Sequence, residues 1–190
     1  VTFLKYAIRP EDLPSQLAEY DAICLLRERT DLSKSVLQAL PNLKAIAATG
    51  RQTRTLDSDA ANALGIPVMT TDGSGNGIYA TVELAWGLIL GLMRHIPAES
   101  AGMHDRAWQM RLGNALYGRT LGLVGLGKLG SRMALVAQAF GMNIIAWSPN
   151  LTSERAEKGG ASYVDKDTLF CTADIISLHL VLGPSTKGIV

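Results

Sequence analysis

The chain has 190 residues, enough for one domain or two small ones at the usual ~150 residues per domain. It is 47% hydrophobic and 18% charged, the reverse of the polar composition that keeps a chain disordered. Eighteen basic against 17 acidic side chains give a net charge of +1, without the basic excess of a dedicated nucleic-acid binder.

Short apolar runs alternate with helical patterns up to about residue 70. Ala22-Ile-Cys-Leu-Leu26 reads as a strand, and Ser33 can cap a helix carrying Val36, Leu37 and Leu40, which ends by Pro41. Leu43-Lys-Ala-Ile-Ala47 is the next strand; Leu56 to Leu64 is a helix closed by Gly65, and Ile66-Pro-Val-Met69 a short strand. Strands spaced by helices argue for βαβ units and a parallel sheet. Thr2 to Ala7 has no preceding partner helix, so this first unit reads as incomplete. Thr70 to Gly77 is small, polar and glycine-rich, the best place for a domain boundary, with domains at 1–74 and 75–190.

A long apolar helix is expected from about Ile78 to His95. Its core run, Leu84 to Met93, is shorter than the roughly 18 apolar residues of a membrane span and contains Gly87 and Gly91. Burial on most of its faces is the expectation, with no membrane as partner. Pro97 opens a more polar helical stretch reaching Met110 and carrying Trp108. Cys24 and Cys171 each lie in an apolar run, which fits reduced thiols in a cytoplasmic protein, and no signal-peptide pattern is present. The chain begins at Val1 and ends on Gly188-Ile-Val190, in mid-pattern, and so reads as a fragment.

The informative segment is Thr120-Leu-Gly-Leu-Val-Gly-Leu-Gly-Lys-Leu-Gly130, in which Gly125, Gly127 and Gly130 form G-x-G-x-x-G. Alone, that pattern is weak. Here it comes after a buried-strand run, Leu121 to Val124. It precedes a helical face of Leu129, Met133, Val136, Ala137 and Phe140, closed by Gly141 and succeeded by the strand Ile144 to Trp147. Strand, glycine turn, helix and strand together are the context of a dinucleotide site. Gly125 permits the tight turn, Gly127 lets the backbone approach a pyrophosphate, and Gly130 lets the helix pack on the strand. The N–H groups of Lys128 and Leu129 are the natural phosphate donors. A glycine turn that packs a helix without any ligand is the alternative.

At the end of the second strand an NAD site usually carries a carboxylate for the ribose 2′-hydroxyl. This chain has Ser148 there, 18 residues after Gly130, and no acid before Glu154. The basic clamp of an NADP site is represented only by Arg155, so the cofactor is NAD or NADP. A bare turn residue ahead of Pro149 is the competing reading of Ser148.

In order and spacing the chain resembles the D-isomer-specific 2-hydroxyacid dehydrogenase family. The matching blocks are Leu40-Pro-Asn-Leu-Lys-Ala-Ile46, Thr49-Gly50, Leu56-Asp57, Gly65-Ile-Pro-Val68, Ala80-Thr-Val-Glu-Leu84 and Gly118-Arg-Thr-Leu-Gly122. The glycine turn, Ala139-Phe-Gly-Met142, Ala146-Trp-Ser-Pro-Asn-Leu-Thr152, Ala173-Asp-Ile-Ile-Ser-Leu-His-Leu180 and Thr186-Lys-Gly188 complete them.

The resemblance implies an α/β chain, a Rossmann-type doubly wound parallel sheet preceded by a smaller flavodoxin-like substrate domain, both incomplete. It implies hydride transfer between NAD(P) and C2 of a small 2-hydroxy or 2-keto acid, in a homodimer. The family's catalytic arginine, glutamate and histidine would come after Val190, so no catalytic residue is assigned within these residues. His95 is read as reaching the last carbonyls of its helix, His104 as lying on a polar helix, and His179 as a satisfied core histidine. On the cofactor side the resemblance assigns Lys128 and Leu129 to the pyrophosphate and Ser148 to the adenosine ribose. It places Leu180 and Val181 on the adenine side, Thr186 toward the phosphates and Thr81 toward the nicotinamide. Val181 replaces a common proline. On the substrate side it assigns Thr49 and Gly50, with Arg51 an unusual residue that is either a substrate contact or a solvated loop cation. A regulatory dinucleotide-binding protein on the same fold is the alternative function, since fold alone does not fix activity. A third reading takes the chain as complete, a bare nucleotide-binding module.

Overall fold

The computed structural model describes residues 2–50, 53–71 and 77–190. The chain divides into two compact units, Val1–Gly75 and Asn76–Val190.

The first unit is built on three parallel strands in the order β1-β2-β3: β1 (Ala22–Leu25), β2 (Ala45–Ala48) and β3 (Val68–Thr70). Helices α1 (Leu13–Leu17), α2 (Lys34–Gln38) and α3 (Ser58–Ala63) complete it. Successive strand side chains point to opposite faces. Leu25, Ile46 and Ala48 therefore share a face, and they are buried in one core with Leu13, Leu17, Leu37, Ala60 and Ala61. Ala22, Cys24 and Met69 lie on the other face and are exposed. Thr2 to Ala7 forms no strand.

β2 starts two residues later than its apolar run, because Leu43 is spent in the turn. The Leu43 N–H donates to the Leu40 carbonyl at 3.2 Å and its side chain is buried in the core. Ser33 does stand at the N-cap of α2, but its hydroxyl pairs with the Ser35 hydroxyl at 3.1 Å instead of a helix N–H. Asp57 is a working cap. Its carboxylate accepts the Ala60 N–H at 2.9 Å, and Gly65, at φ +70°, stands just past the helix end. Asp57→Ala is expected to cost about 1 kcal/mol of stability, the usual worth of an N-cap, measured by urea unfolding.

The second unit has four parallel strands, β4 (Thr120–Val124), β5 (Asn143–Trp147), β6 (Ser162–Tyr163) and β7 (Ile175–Leu178), in the order β6-β5-β4-β7. The chain winds outward from β4 on one side and then crosses to its other side for β7. That reversal creates a switch point at the C-terminal end of β4, where open α/β sheets bind ligands. Five helices belong to this unit: α4 (Gly77–Met93), α5 (Ile96–His104), α6 (Lys128–Ala139), α7 (Ser153–Lys158) and α8 (Lys166–Thr172). Gly122 lets α8 lie close on the sheet, since a Cβ there would sit 2.8 Å from that of Ala173 and 3.0 Å from Leu169. At the opposite end of the strands, Asp174 accepts from the Thr120 N–H and from Arg119, each at 2.8 Å. Those two bonds hold its carboxyl below the usual carboxylate range.

Three helix expectations need correction. α4 is not buried on most faces: only Val82 and Trp86 are buried, while Leu84, Leu88 and Leu92 are exposed. α5 stops at His104, so Trp108 lies beyond it and is exposed. The inward face of α6 is Gly130, Met133, Ala134 and Ala137, with Leu129 and Val136 half-buried; Phe140 falls after the helix and packs its ring 5.1 Å from that of Trp86. α4 and α5 meet at 64° through His95, which takes a left-handed conformation at φ 55°. The His95 contact with the helix end is made by its backbone N–H, 3.3 Å from the Leu92 carbonyl. Among the described residues no single helix is long and apolar enough to cross a membrane.

Candidate functional site

The glycine turn is assembled at the switch point from three strand ends. The buried run Leu121 to Val124 leads into Gly125, at φ +100°, a conformation L side chains rarely adopt. The Gly125 N–H donates to the Trp147 carbonyl at the end of β5 at 2.8 Å. A Cβ on Gly125 would lie 2.9 Å from the His179 carbonyl oxygen and from the Leu180 side chain, both just after β7. Gly130, buried in the first turn of α6, has no room for a Cβ because the Gly125 carbonyl occupies that place. Gly127 is different. It is exposed, and nothing lies within 4 Å of the position its Cβ would take.

The space over Gly127 is where an anion fits. Gly127 is the N-cap of the 12-residue α6 and makes no side-chain cap bond. A helix leaves its first N–H groups without intrahelical partners and carries a partial positive charge at that end. The N–H groups of Lys128 and Leu129 make no backbone hydrogen bond among the described residues, and the Lys128 side chain is exposed beside them. One turn on, the Arg132 guanidinium lies 4.1 Å from the centre of the Tyr79 ring, which sets the start of α4 beside α6. An uncapped helix start over a bare glycine is suited to a pyrophosphate.

Ser148 comes directly after the Trp147 carbonyl that holds Gly125, and so stands at the rim of the turn, half-buried. Leu180 closes the other side, while Val181 is exposed. The Thr186 hydroxyl is committed locally. It donates to the Val181 carbonyl at 2.6 Å and accepts from the Gly183 N–H at 2.8 Å, stapling the loop after β7. Thr81 is exposed on α4, its hydroxyl returned to the Gly77 carbonyl at 3.1 Å. His179 is half-buried, not a core residue; its Nε2 is 2.8 Å from the Ser177 hydroxyl, and burial keeps the imidazole below its ordinary value.

In the first unit, Thr49 and Gly50 stand immediately after β2. The Thr49 hydroxyl accepts the Arg27 N–H at 3.1 Å, and the Gly50 N–H donates to the Thr71 hydroxyl at 2.8 Å. Arg51 lies outside the described residues. Sequence reasoning passes over Arg27. It sits just beyond β1 at φ 51°, and its guanidinium covers Gly50, where a Cβ would come within 2.8 Å of Nη1. The available signal is its place after a parallel strand, at the sheet edge where ligands bind. What brings it over Gly50 is strand pairing, which periodicity does not reveal. Among the described residues no group of histidine, cysteine and acidic side chains could hold a metal ion.

An open parallel sheet with a glycine turn and an uncapped helix at its switch point defines a dinucleotide-binding unit. Residues 86–190 match the family model described as D-isomer specific 2-hydroxyacid dehydrogenase, NAD binding domain. The chain belongs to that family, and this unit is its NAD(P)-binding domain. It is 36% identical over 98% of its length to D-3-phosphoglycerate dehydrogenase of Synechocystis, of which it spans 34%. It is also 36% identical over 96% of its length to hydroxypyruvate reductase of Thermotoga maritima, of which it spans 58%. Among solved structures, phosphoglycerate oxidoreductase from Vibrio cholerae superposes with a TM-score of 0.93 at 37% identity, covering 100% of this chain and 61% of that one. D-lactate dehydrogenase from Escherichia coli gives 0.82 at 28% identity, covering 99% and 59%. The chain thus spans a third to about three-fifths of the length of these relatives.

Proposed function

We propose that the full-length protein is an NAD(P)-dependent oxidoreductase acting on D-2-hydroxy acids and their 2-keto forms. The observation that carries this reading is the open amide cradle at Gly127, set at the switch point within the matched domain. When bound, the nicotinamide supplies or accepts the hydride exchanged with C2 of the acid. The chain's own residues bind and orient. The amides of Lys128 and Leu129 hold the pyrophosphate, Ser148 the adenosine ribose, and Leu180 and Val181 flank the adenine. Thr81 stands toward the nicotinamide. Thr186 acts indirectly, by fixing the loop that carries Val181. Arg27 receives the substrate carboxylate, for which a planar guanidinium is the natural partner; Thr49 and Gly50, whose N–H groups are bonded to the Leu25 carbonyl and the Thr71 hydroxyl, shape the turn beneath it. The same reading places the protein in the cytoplasm as a homodimer. Two exposed free cysteines suit a reducing compartment, and the uncovered leucines of α4 suit a partner copy.

Thermal unfolding of the full-length protein with NADH or NADPH, then a panel of 2-keto acids with both, tests this function. A ligand at a hundred times its Kd stabilises by about 2.7 kcal/mol, a readily measured shift. No shift with either nucleotide at millimolar concentration would overturn the reading. Binding without turnover of any 2-keto acid would instead mark a regulatory protein. Arg27→Gln should lower kcat/KM about 10- to 100-fold, the worth of a hydrogen bond to a charged group, and leave NADH affinity within about twofold.

A further inference from the structure

The end of β5 is the place from which a dinucleotide site reads the adenosine ribose. Its position is fixed here by the 2.8 Å bond between the Gly125 amide and the Trp147 carbonyl. Past Trp147 the chain makes a turn without an acidic side chain, Ser148-Pro-Asn-Leu-Thr152. The Ser148 carbonyl accepts the Leu151 N–H at 3.1 Å, and the Thr152 hydroxyl caps α7 by accepting the Arg155 N–H at 3.3 Å. From α7 the Arg155 side chain returns to the turn, where Nη1 donates to the Asn150 carbonyl at 2.8 Å. A guanidinium has five N–H donors in a fixed fork. One is spent on the backbone, which holds the charge over the turn two residues from Ser148 and leaves the remaining donors available. Glu154, the first acid after Ser148, is exposed in the first turn of α7.

A carboxylate at the rim favours a 2′-hydroxyl and repels a 2′-phosphate. A serine hydroxyl can donate to either group and repels neither. A guanidinium adds attraction for the phosphate alone, through charge-assisted bonds. We propose, building on the NAD(P)-binding reading above, that Ser148 and Arg155 make the adenosine-ribose pocket a 2′-phosphate site. The protein then binds NADPH at least as tightly as NADH.

Calorimetric titration of the full-length protein with NADH and NADPH, in the absence of any keto acid, reads this directly. The expected result is an NADPH Kd equal to or below that of NADH. Ser148→Asp should shift the ratio of the two affinities at least tenfold toward NADH. Arg155→Ala should weaken NADPH about three- to tenfold with NADH little changed, a loss that shrinks as salt is raised. NADH binding more than threefold tighter than NADPH in the wild type, or a Ser148→Asp variant with an unaltered ratio, would overturn the proposal and leave the NAD(P)-binding function standing. Equal loss of both nucleotides in Arg155→Ala would also count against it, since that is the outcome of a collapsed turn. Binding of neither nucleotide by the wild type would sink both readings together.

Discussion

Gly127→Val is expected to leave the second unit folded and to remove its response to NADH, whereas Gly130→Ala is expected to damage the fold itself. The two glycines stand three residues apart in one motif, and their surroundings make opposite demands. Around Gly127 the Cβ position is open and the backbone is extended at φ −81°, so the Cβ of a valine finds room there and needs no left-handed conformation. Its methyl groups would fill the space that a pyrophosphate must enter to reach the amides of Lys128 and Leu129. The melting temperature without ligand should move by no more than a few degrees, within the roughly ±0.5 kcal/mol of most exposed substitutions. The stabilisation of about 2.7 kcal/mol at a hundredfold excess over Kd should vanish. At Gly130 even one methyl group would overlap the Gly125 carbonyl, a backbone atom in the turn itself. The helix must then move off the strand end, at a cost of about 1–3 kcal/mol or more from overpacking, read as a fall in the unliganded melting temperature. An NADH shift retained in Gly127→Val would mean that the phosphates lie elsewhere. An unaltered melting temperature for Gly130→Ala would contradict the close packing of α6 on β4.

The contrast between those two residues marks how far the sequence can be read. The βαβ context of the glycine turn is local: an apolar run, three glycines and one helical face all lie within a single stretch of chain. Each element there is set by backbone sterics and side-chain periodicity, and β4, α6 and β5 form at the expected places. Reading fails where a residue's neighbours come from elsewhere. Leu43 has the character of a strand residue but fills the core from a turn, because the register of β2 against β1 decides where pairing begins. Arg27 looks like an ordinary surface cation until strand pairing brings it over Gly50. Thr186 shows a limit that is local instead: its residue type does not tell that its hydroxyl bonds the Val181 carbonyl and the Gly183 N–H a few residues back. Ser148 is legible as a departure from the acidic rule. The return of Arg155 onto the Asn150 carbonyl is not, since it depends on how α7 is capped.

Leu88→Arg is expected to convert a homodimer of the full-length protein into monomers. Composition cannot distinguish an apolar helix buried within a chain from one buried between chains, and by composition α4 passes for the first kind. Its exposed residues are what the proposed dimer rests on: Leu84, Leu88 and Leu92 remain 64%, 65% and 75% accessible and recur every fourth residue along one stripe. No side chain of the described residues comes within 4 Å of the Cβ position of Gly87. Beyond the bend at His95, Ile96, Met103, Trp108, Met110 and Leu112 are exposed as well. A leucine stripe left exposed along a helix is the kind of surface a partner copy would cover. Burying each leucine gains about 1.5–3 kcal/mol, and an isologous two-fold contact uses every residue twice. A charged side chain at Leu88 therefore enters such an interface twice and leaves two desolvated guanidinium groups facing a leucine stripe. Dissociation should strengthen at least a hundredfold, seen by sedimentation velocity at micromolar concentration. The isolated fold should keep its NADH-induced shift, because Leu88 is exposed and lies on none of the strands that form the glycine turn. A wild-type protein that sediments as a monomer at high concentration would refute the dimer, and a dimer unaffected by Leu88→Arg would move its interface away from α4.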